Sequence, residues 1–119
     1  MKKIMIIDDE LDILDVLERF LSKQKEYEIS TYSNPIDAFN DAKNKKYDLI
    51  LSDIMMPQVS GIDILKELKK LNENTKIILM TAYSTSRKKE TAEQLKVDAY
   101  IEKPFQDLKS VQNAISSLI

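Results

Sequence analysis

Apolar residues along this chain follow two different periods in turn. Short unbroken runs stand at Ile4-Met5-Ile6-Ile7, Leu49-Ile50-Leu51 and Ile77-Ile78-Leu79-Met80, and between them apolar residues return every three to four positions. A run without polar alternation reads as a strand covered on both faces, and the longer spacing reads as a helix with one buried stripe. The spacing predicts strands over Met1–Ile7, Glu28–Tyr32, Tyr47–Ser52, Lys76–Met80 and Asp98–Glu102. The second is polar enough to lie at an edge. The first helix, started by Asp9, buries Ile13, Leu14, Leu17, Phe20 and Leu21. Asn34-Pro35 pairs an N-cap with proline at the first helical position and opens a helix on Ile36, Phe39 and Ala42. Pro57 and Gly61 punctuate the loop before a helix on Ile64, Leu65, Leu68 and Leu71. A last helix places Leu108, Val111, Ile115 and Leu118 on one face.

Five strand–helix units in 119 residues, with no linker or repeat between them, predict one α/β domain over residues 1–119. Continuous apolar strands argue for a doubly wound parallel sheet with helices on both faces. Right-handed crossovers favour the strand order 2-1-3-4-5, whose switch point falls between the first and third strands. The helix expected over Ser84–Leu95 differs from the others. It offers only Ala92 and Leu95 to the core, beside Arg87, Lys88, Lys89 and Glu90. Such a stripe anchors a helix weakly, as suits a moving element or simply a solvated surface helix.

Charge and composition narrow the function. A net charge of −2 gives no general attraction to nucleic acid or acidic membranes. The absence of cysteine excludes disulfides and thiolate chemistry, and the absence of histidine removes the commonest general base and zinc ligand. No apolar stretch approaches a membrane span and the N-terminal run is too short for a signal peptide, so the cytoplasm is the expected compartment.

The candidate chemistry lies at strand ends. Asp8-Asp9 follows the first strand and Asp53 the third, so at a switch point the three carboxylates share one crevice. Asp8-Asp9 alone is equally a helix cap, and Asp53 alone could cap a turn. Together they repel one another and call for a divalent cation. Oxygen ligands in a small cleft select Mg²⁺, with Mn²⁺ tolerated. Thr81 and Lys103 end the fourth and fifth strands on the same rim. Each has a plain alternative, a helix start for Thr81 and an exposed surface lysine for Lys103. A hydroxyl and an ammonium facing a metal-bound carboxylate also form a phosphoryl cradle.

Ile6-Ile7-Asp8-Asp9-Glu10, Ser52-Asp53-Ile54-Met55-Met56-Pro57, Gly61, Met80-Thr81-Ala82 and Lys103-Pro104-Phe105 together resemble the receiver (phosphoacceptor) domain of bacterial two-component response regulators. The resemblance spans the chain and implies the flavodoxin-like (βα)5 fold. It implies that Asp53 accepts a phosphoryl group from a histidine kinase or phosphotransfer protein. Mg²⁺ would be held by Asp9, Asp53 and the Met55 backbone carbonyl, with Asp8 acting largely through water. Thr81 matches the switch hydroxyl, Lys103 the phosphate-contacting lysine and Tyr100 the aromatic that turns inward on activation. Lys103-Pro104 matches a cis peptide. The chain departs from the family pattern in having no glycine near Lys96-Val97-Asp98.

The implied chemistry needs no protein base, because an ionised carboxylate attacks phosphohistidine in line while positioning and charge neutralisation lower the barrier. The domain would thus catalyse only its own phosphorylation and dephosphorylation and would not be an enzyme in the ordinary sense. The expected output surface is the Ser84–Leu95 helix, the fifth strand and the last helix. A transcriptional regulator would dimerise there, and a stand-alone relay protein would bind a partner and stay monomeric. Neither output involves this domain touching nucleic acid or a membrane. Two other readings compete. A phosphatase of the haloacid dehalogenase type expects an acid two residues after the nucleophile, where Met55 stands. A pseudo-receiver that never turns over phosphate is opposed by intact Asp9, Asp53, Thr81 and Lys103. The chain is expected to be a stand-alone regulator or the receiver part of a longer protein.

Overall fold

The computed structural model describes residues 1–53, 61–81, 97–103, 105 and 107–119. The apolar runs form β1 (Lys2–Ile7), β2 (Tyr27–Tyr32), β3 (Leu49–Asp53), β4 (Lys76–Thr81) and β5 (Ala99–Glu102). They join as one parallel sheet in the order β2-β1-β3-β4-β5. The polar β2 is an edge strand, as its composition predicts.

The described helices are α1 (Leu11–Leu21), α2 (Pro35–Ala42), α3 (Gly61–Leu71) and a C-terminal helix (Leu108–Leu118). Successive strand residues face opposite ways, so the sheet feeds two separate cores. Ile4, Ile6, Leu49, Leu51, Ile78 and Met80 pack with Leu14, Leu17 and Leu21 of α1 and Val111 and Ile115 of the C-terminal helix. On the other side Met5, Ile7, Ile50, Ile77 and Leu79 meet Ala38 of α2 and Leu65 and Leu68 of α3. This is the doubly wound arrangement that the continuous apolar strands require.

Some expected core positions move. Ile36 and Leu71 are exposed, and Pro35 and Ala38 form the buried stripe of α2. Asn34 Oδ1 accepts the Ile36 N–H at 2.8 Å and Pro35 takes the first helical position. That cap sets the phase of a short helix, with residues three apart facing the sheet and Ile36 about 100° off it. Asp107 caps the C-terminal helix by accepting the Ser110 N–H at 2.6 Å. Those bonds from Ser110 hold its carboxyl below the ordinary value.

Asp9 does not cap α1. Glu10 is the N-cap residue, it makes no side-chain cap bond, and Asp8 Oδ1 instead accepts the Glu10 N–H at 2.9 Å. The expected Ser84–Leu95 helix, Met55, Pro57 and Pro104 lie outside the described residues. No helix among the described residues is long and apolar enough to cross a membrane.

Candidate functional site

Strand register assembles the site. Ile7 pairs with Ser52, so Asp8 and Asp53, each one residue further on, end neighbouring strands at the same level. By alternation both fall on the sheet face that buries Ile4, Ile6, Leu49 and Leu51, beneath α1. On β5 the residues facing this side are Ala99 and Ile101, and Lys103 continues their parity. Three residues scattered over the sequence thus converge on one rim.

Lys103 Nζ donates to Asp8 Oδ2 at 2.6 Å and to Asp53 Oδ2 at 3.2 Å, and lies 3.7 Å from Glu10 Oε1. Its side chain is only 7% exposed, against 0% for Asp8 and 8% for Asp53. The expectation of an exposed surface lysine is therefore overturned. Residue 103 follows the last strand position beside the cleft, and two buried carboxylates draw its ammonium inward.

The charges are tightly interdependent. Burial pushes the Asp8 carboxyl above its ordinary value, against the hydrogen bond from Lys103 and the bond from the Glu10 N–H. Burial also opposes the Lys103 charge, but the hydrogen bond and field of Asp8, with those of Asp53, outweigh it and raise its pKa. Ser52, wholly buried, donates its hydroxyl to the Asp53 carbonyl at 3.0 Å, so that hydroxyl is not stranded behind the cleft.

One oxygen each from Asp8, Glu10 and Asp53 lies within 4.8 Å of the others. These are hard oxygen donors, at a spacing that a small dication can bridge directly and through its waters, so the residues fit Mg²⁺. Asp9, expected as a ligand, is exposed and outside this group, while Glu10 belongs to it. The bond from the Glu10 N–H to Asp8 folds the chain back at this point, which draws residue 10 over the cleft. The signal was present in the sequence as a third consecutive acid, but linear order does not say which two of three acids share a face. Thr81 closes β4 opposite Glu102 of β5. Tyr100 is 36% exposed on β5. Met55, whose carbonyl the resemblance implies as a ligand, lies outside the described residues.

The response regulator receiver domain model matches residues 4–116. The chain belongs to that family. It is 30% identical over 118 residues to sporulation initiation phosphotransferase F of Bacillus subtilis, covering 99% of this chain and 94% of the relative. It is 34% identical over 104 residues to the alkaline phosphatase synthesis transcriptional regulatory protein PhoP of the same organism. That match covers 87% of this chain and 43% of PhoP, so the chain spans less than half of that relative. Among solved structures it resembles response regulator TrrA of Thermotoga maritima in complex with Mg²⁺-BeF. The TM-score is 0.86 at 34% identity, with full coverage of both chains.

Membership makes the chain a signalling receiver of two-component systems and not a classical enzyme. Receiver domains are phosphorylated on aspartate by histidine kinases or phosphotransfer proteins, and they bind Mg²⁺ through an acidic pocket.

Proposed function

We propose that Asp53 is the phosphoacceptor, and that its phosphorylation by a histidine kinase or phosphotransfer protein switches the domain. The observation that carries this reading is the approach of the Asp8 and Asp53 carboxylates to one buried ammonium, Lys103, at the carboxyl end of the sheet. Asp53 is a buried carboxylate at the carboxyl end of its strand. Lys103 stands where it neutralises charge arriving on Asp53.

Asp8 and Asp53 supply oxygens that would hold Mg²⁺ or Mn²⁺, with Asp9 and the Met55 carbonyl as the remaining ligands the family resemblance implies, and the Glu10 carboxylate stands beside them. When bound there, the ion would supply charge neutralisation. Asp53 contributes the attacking carboxylate oxygen, and catalysis by positioning and charge neutralisation requires no protein base. Asp8 orients Lys103 through Oδ2 and the start of α1 through Oδ1. The same residues catalyse the domain's own phosphorylation and dephosphorylation. Thr81 is the switch hydroxyl of this reading and Tyr100 its aromatic partner.

The output surface of this reading includes β5 and the C-terminal helix. Support comes from a groove of about 260 Å³ there, lined by Tyr100, Ile101, Glu102, Asp107, Ser110 and Val111 among others. A homodimer or a protein partner would occupy it, with no contact to nucleic acid or membrane by this domain. The domain, residues 1–119, would work in the cytoplasm.

The test is to incubate the protein with Mg²⁺ and a small acyl phosphate and weigh it. One added phosphoryl group, labile to hydroxylamine and absent in Asp53→Asn, is expected. Uptake by Asp53→Asn at the parent rate would refute the assignment.

A further inference from the structure

Among the described residues the Lys103 ammonium has three acidic neighbours, and they are not alike. Asp8 and Asp53 are buried and hydrogen-bonded to it, whereas the Glu10 carboxylate is 61% exposed and 3.7 Å away, an ion pair beyond hydrogen-bond length. Glu10 is nonetheless held in place, because its own backbone N–H is bound to Asp8 Oδ1. The oxygens that Lys103 now occupies belong to the same group that fits a divalent cation. An ammonium and a dication are mutually repulsive at such distances. Lys103 cannot leave for water freely either, since its side chain is 7% exposed. A buried cation that loses its partner is costly.

We infer that Glu10 is a positioning residue that receives the Lys103 ammonium when a divalent cation claims the Asp8 and Asp53 carboxylates. The inference rests on the reading of this cleft as a Mg²⁺ site. Lys103 has three N–H donors, so it transfers from Asp8 to Glu10 by reorienting without leaving the cleft. Glu10 thereby sets how readily the cleft accepts metal, acting through Lys103 and not as a ligand. Its partial exposure suits the task, because an exposed carboxylate gains a partner without first paying for desolvation.

The test is a Mg²⁺ titration of the whole chain followed by NMR, using the backbone amides of Asp8, Glu10 and Asp53. Glu10→Gln is expected to weaken Mg²⁺ binding by about three- to fivefold, the scale of a half-exposed ion pair. Lys103→Gln is expected to tighten binding, because the internal competitor is gone. In the Lys103→Gln background, Glu10→Gln is expected to change affinity by less than about twofold, since the cycle isolates the coupling between the two side chains. An unchanged affinity in the single Glu10→Gln variant overturns the inference. So does a full-sized loss in the double variant, which would make Glu10 a ligand in its own right. Should Lys103→Gln not fold, the parent protein decides. A contact between the Lys103 ε-protons and the Glu10 γ-protons that strengthens at saturating Mg²⁺ supports the transfer, and its loss overturns it. If Mg²⁺ moves none of these amides in the parent, the metal reading itself fails, and the inference with it.

Discussion

Lys103 donates to Asp8 across 95 positions of sequence, at 2.6 Å, with both side chains buried. This bond joins the end of β5 to the end of β1 across the intervening strands. It makes the fold and the candidate site depend on the same charges. A buried pair contributes little net stability when intact, yet removing one partner strands the other.

Lys103→Ala should therefore cost stability as well as signalling, contrary to what an exposed lysine would do. A loss of roughly 1–3 kcal/mol is expected, below the usual range for a fully buried pair because the cleft opens to water. Added Mg²⁺ should restore part of it by neutralising Asp8 and Asp53. Urea melts with and without Mg²⁺ measure both effects, and a variant as stable as the parent in chelator would contradict the burial argument.

Asp8 supplies a pH signature. Its folded pKa is raised, so the folded state binds this proton more tightly than the unfolded chain. Between the ordinary value near 3.8 and the raised one, stability falls as pH rises, and above that window the penalty is fully present. Asp8→Asn should remove this contribution. Stability measured from pH 4 upward should then decline less steeply in the variant than in the parent without metal. Parallel profiles would show that Asp8 does not carry the effect.

A second polar cluster lies apart from the cleft. Tyr32 and Tyr47 both donate to Asp41 Oδ2, Tyr47 at 2.5 Å. Burial and then the bond to Asp41 push the Tyr47 hydroxyl up to about 12. Burial opposes the Asp41 charge, but the two phenol bonds outweigh it and hold its carboxyl below the ordinary value. Asp41 thus stabilises above the unfolded carboxylate pKa, and its contribution is lost as pH falls through the depressed folded value. Asp41→Asn should cost roughly 1–3 kcal/mol at neutral pH. It should also bring Tyr47 ionisation, read by tyrosinate absorbance, down toward 10. An unchanged titration would place the cause of the shift elsewhere.

The two-sided core gives a contrast within α1. Leu17 is wholly buried and Leu11 is 69% exposed. Leu17→Ala should cost roughly 2–5 kcal/mol and Leu11→Ala under about 0.5 kcal/mol. Thermal melts of the pair check the assignment of the α1 stripe. Similar losses in both would mean that the helix is rotated from its described phase.

Strand identity, strand order and the buried stripe of α1 were legible in the sequence because they follow from local periodicity and two chain-level rules. Ile4–Ile7 and Ile77–Met80 have no polar position to turn outward, so they had to be sandwiched between helices. Asp8, Asp53 and Lys103 were visible as strand-end residues for the same reason. The details that depend on contacts between distant segments were not. Ala38 replaces Ile36 in the core because the Asn34 cap, meeting the sheet, sets the phase of a helix too short to reveal it by periodicity. Glu10 joins the cleft ahead of Asp9 because Asp8 binds its N–H, and three consecutive acids carry no record of that bond. Lys103 is an internal cation and not a surface one because burial is a property of the assembled strand ends. Residue type and spacing determine which groups reach the rim of the sheet, whereas only packing decides which of them water still reaches.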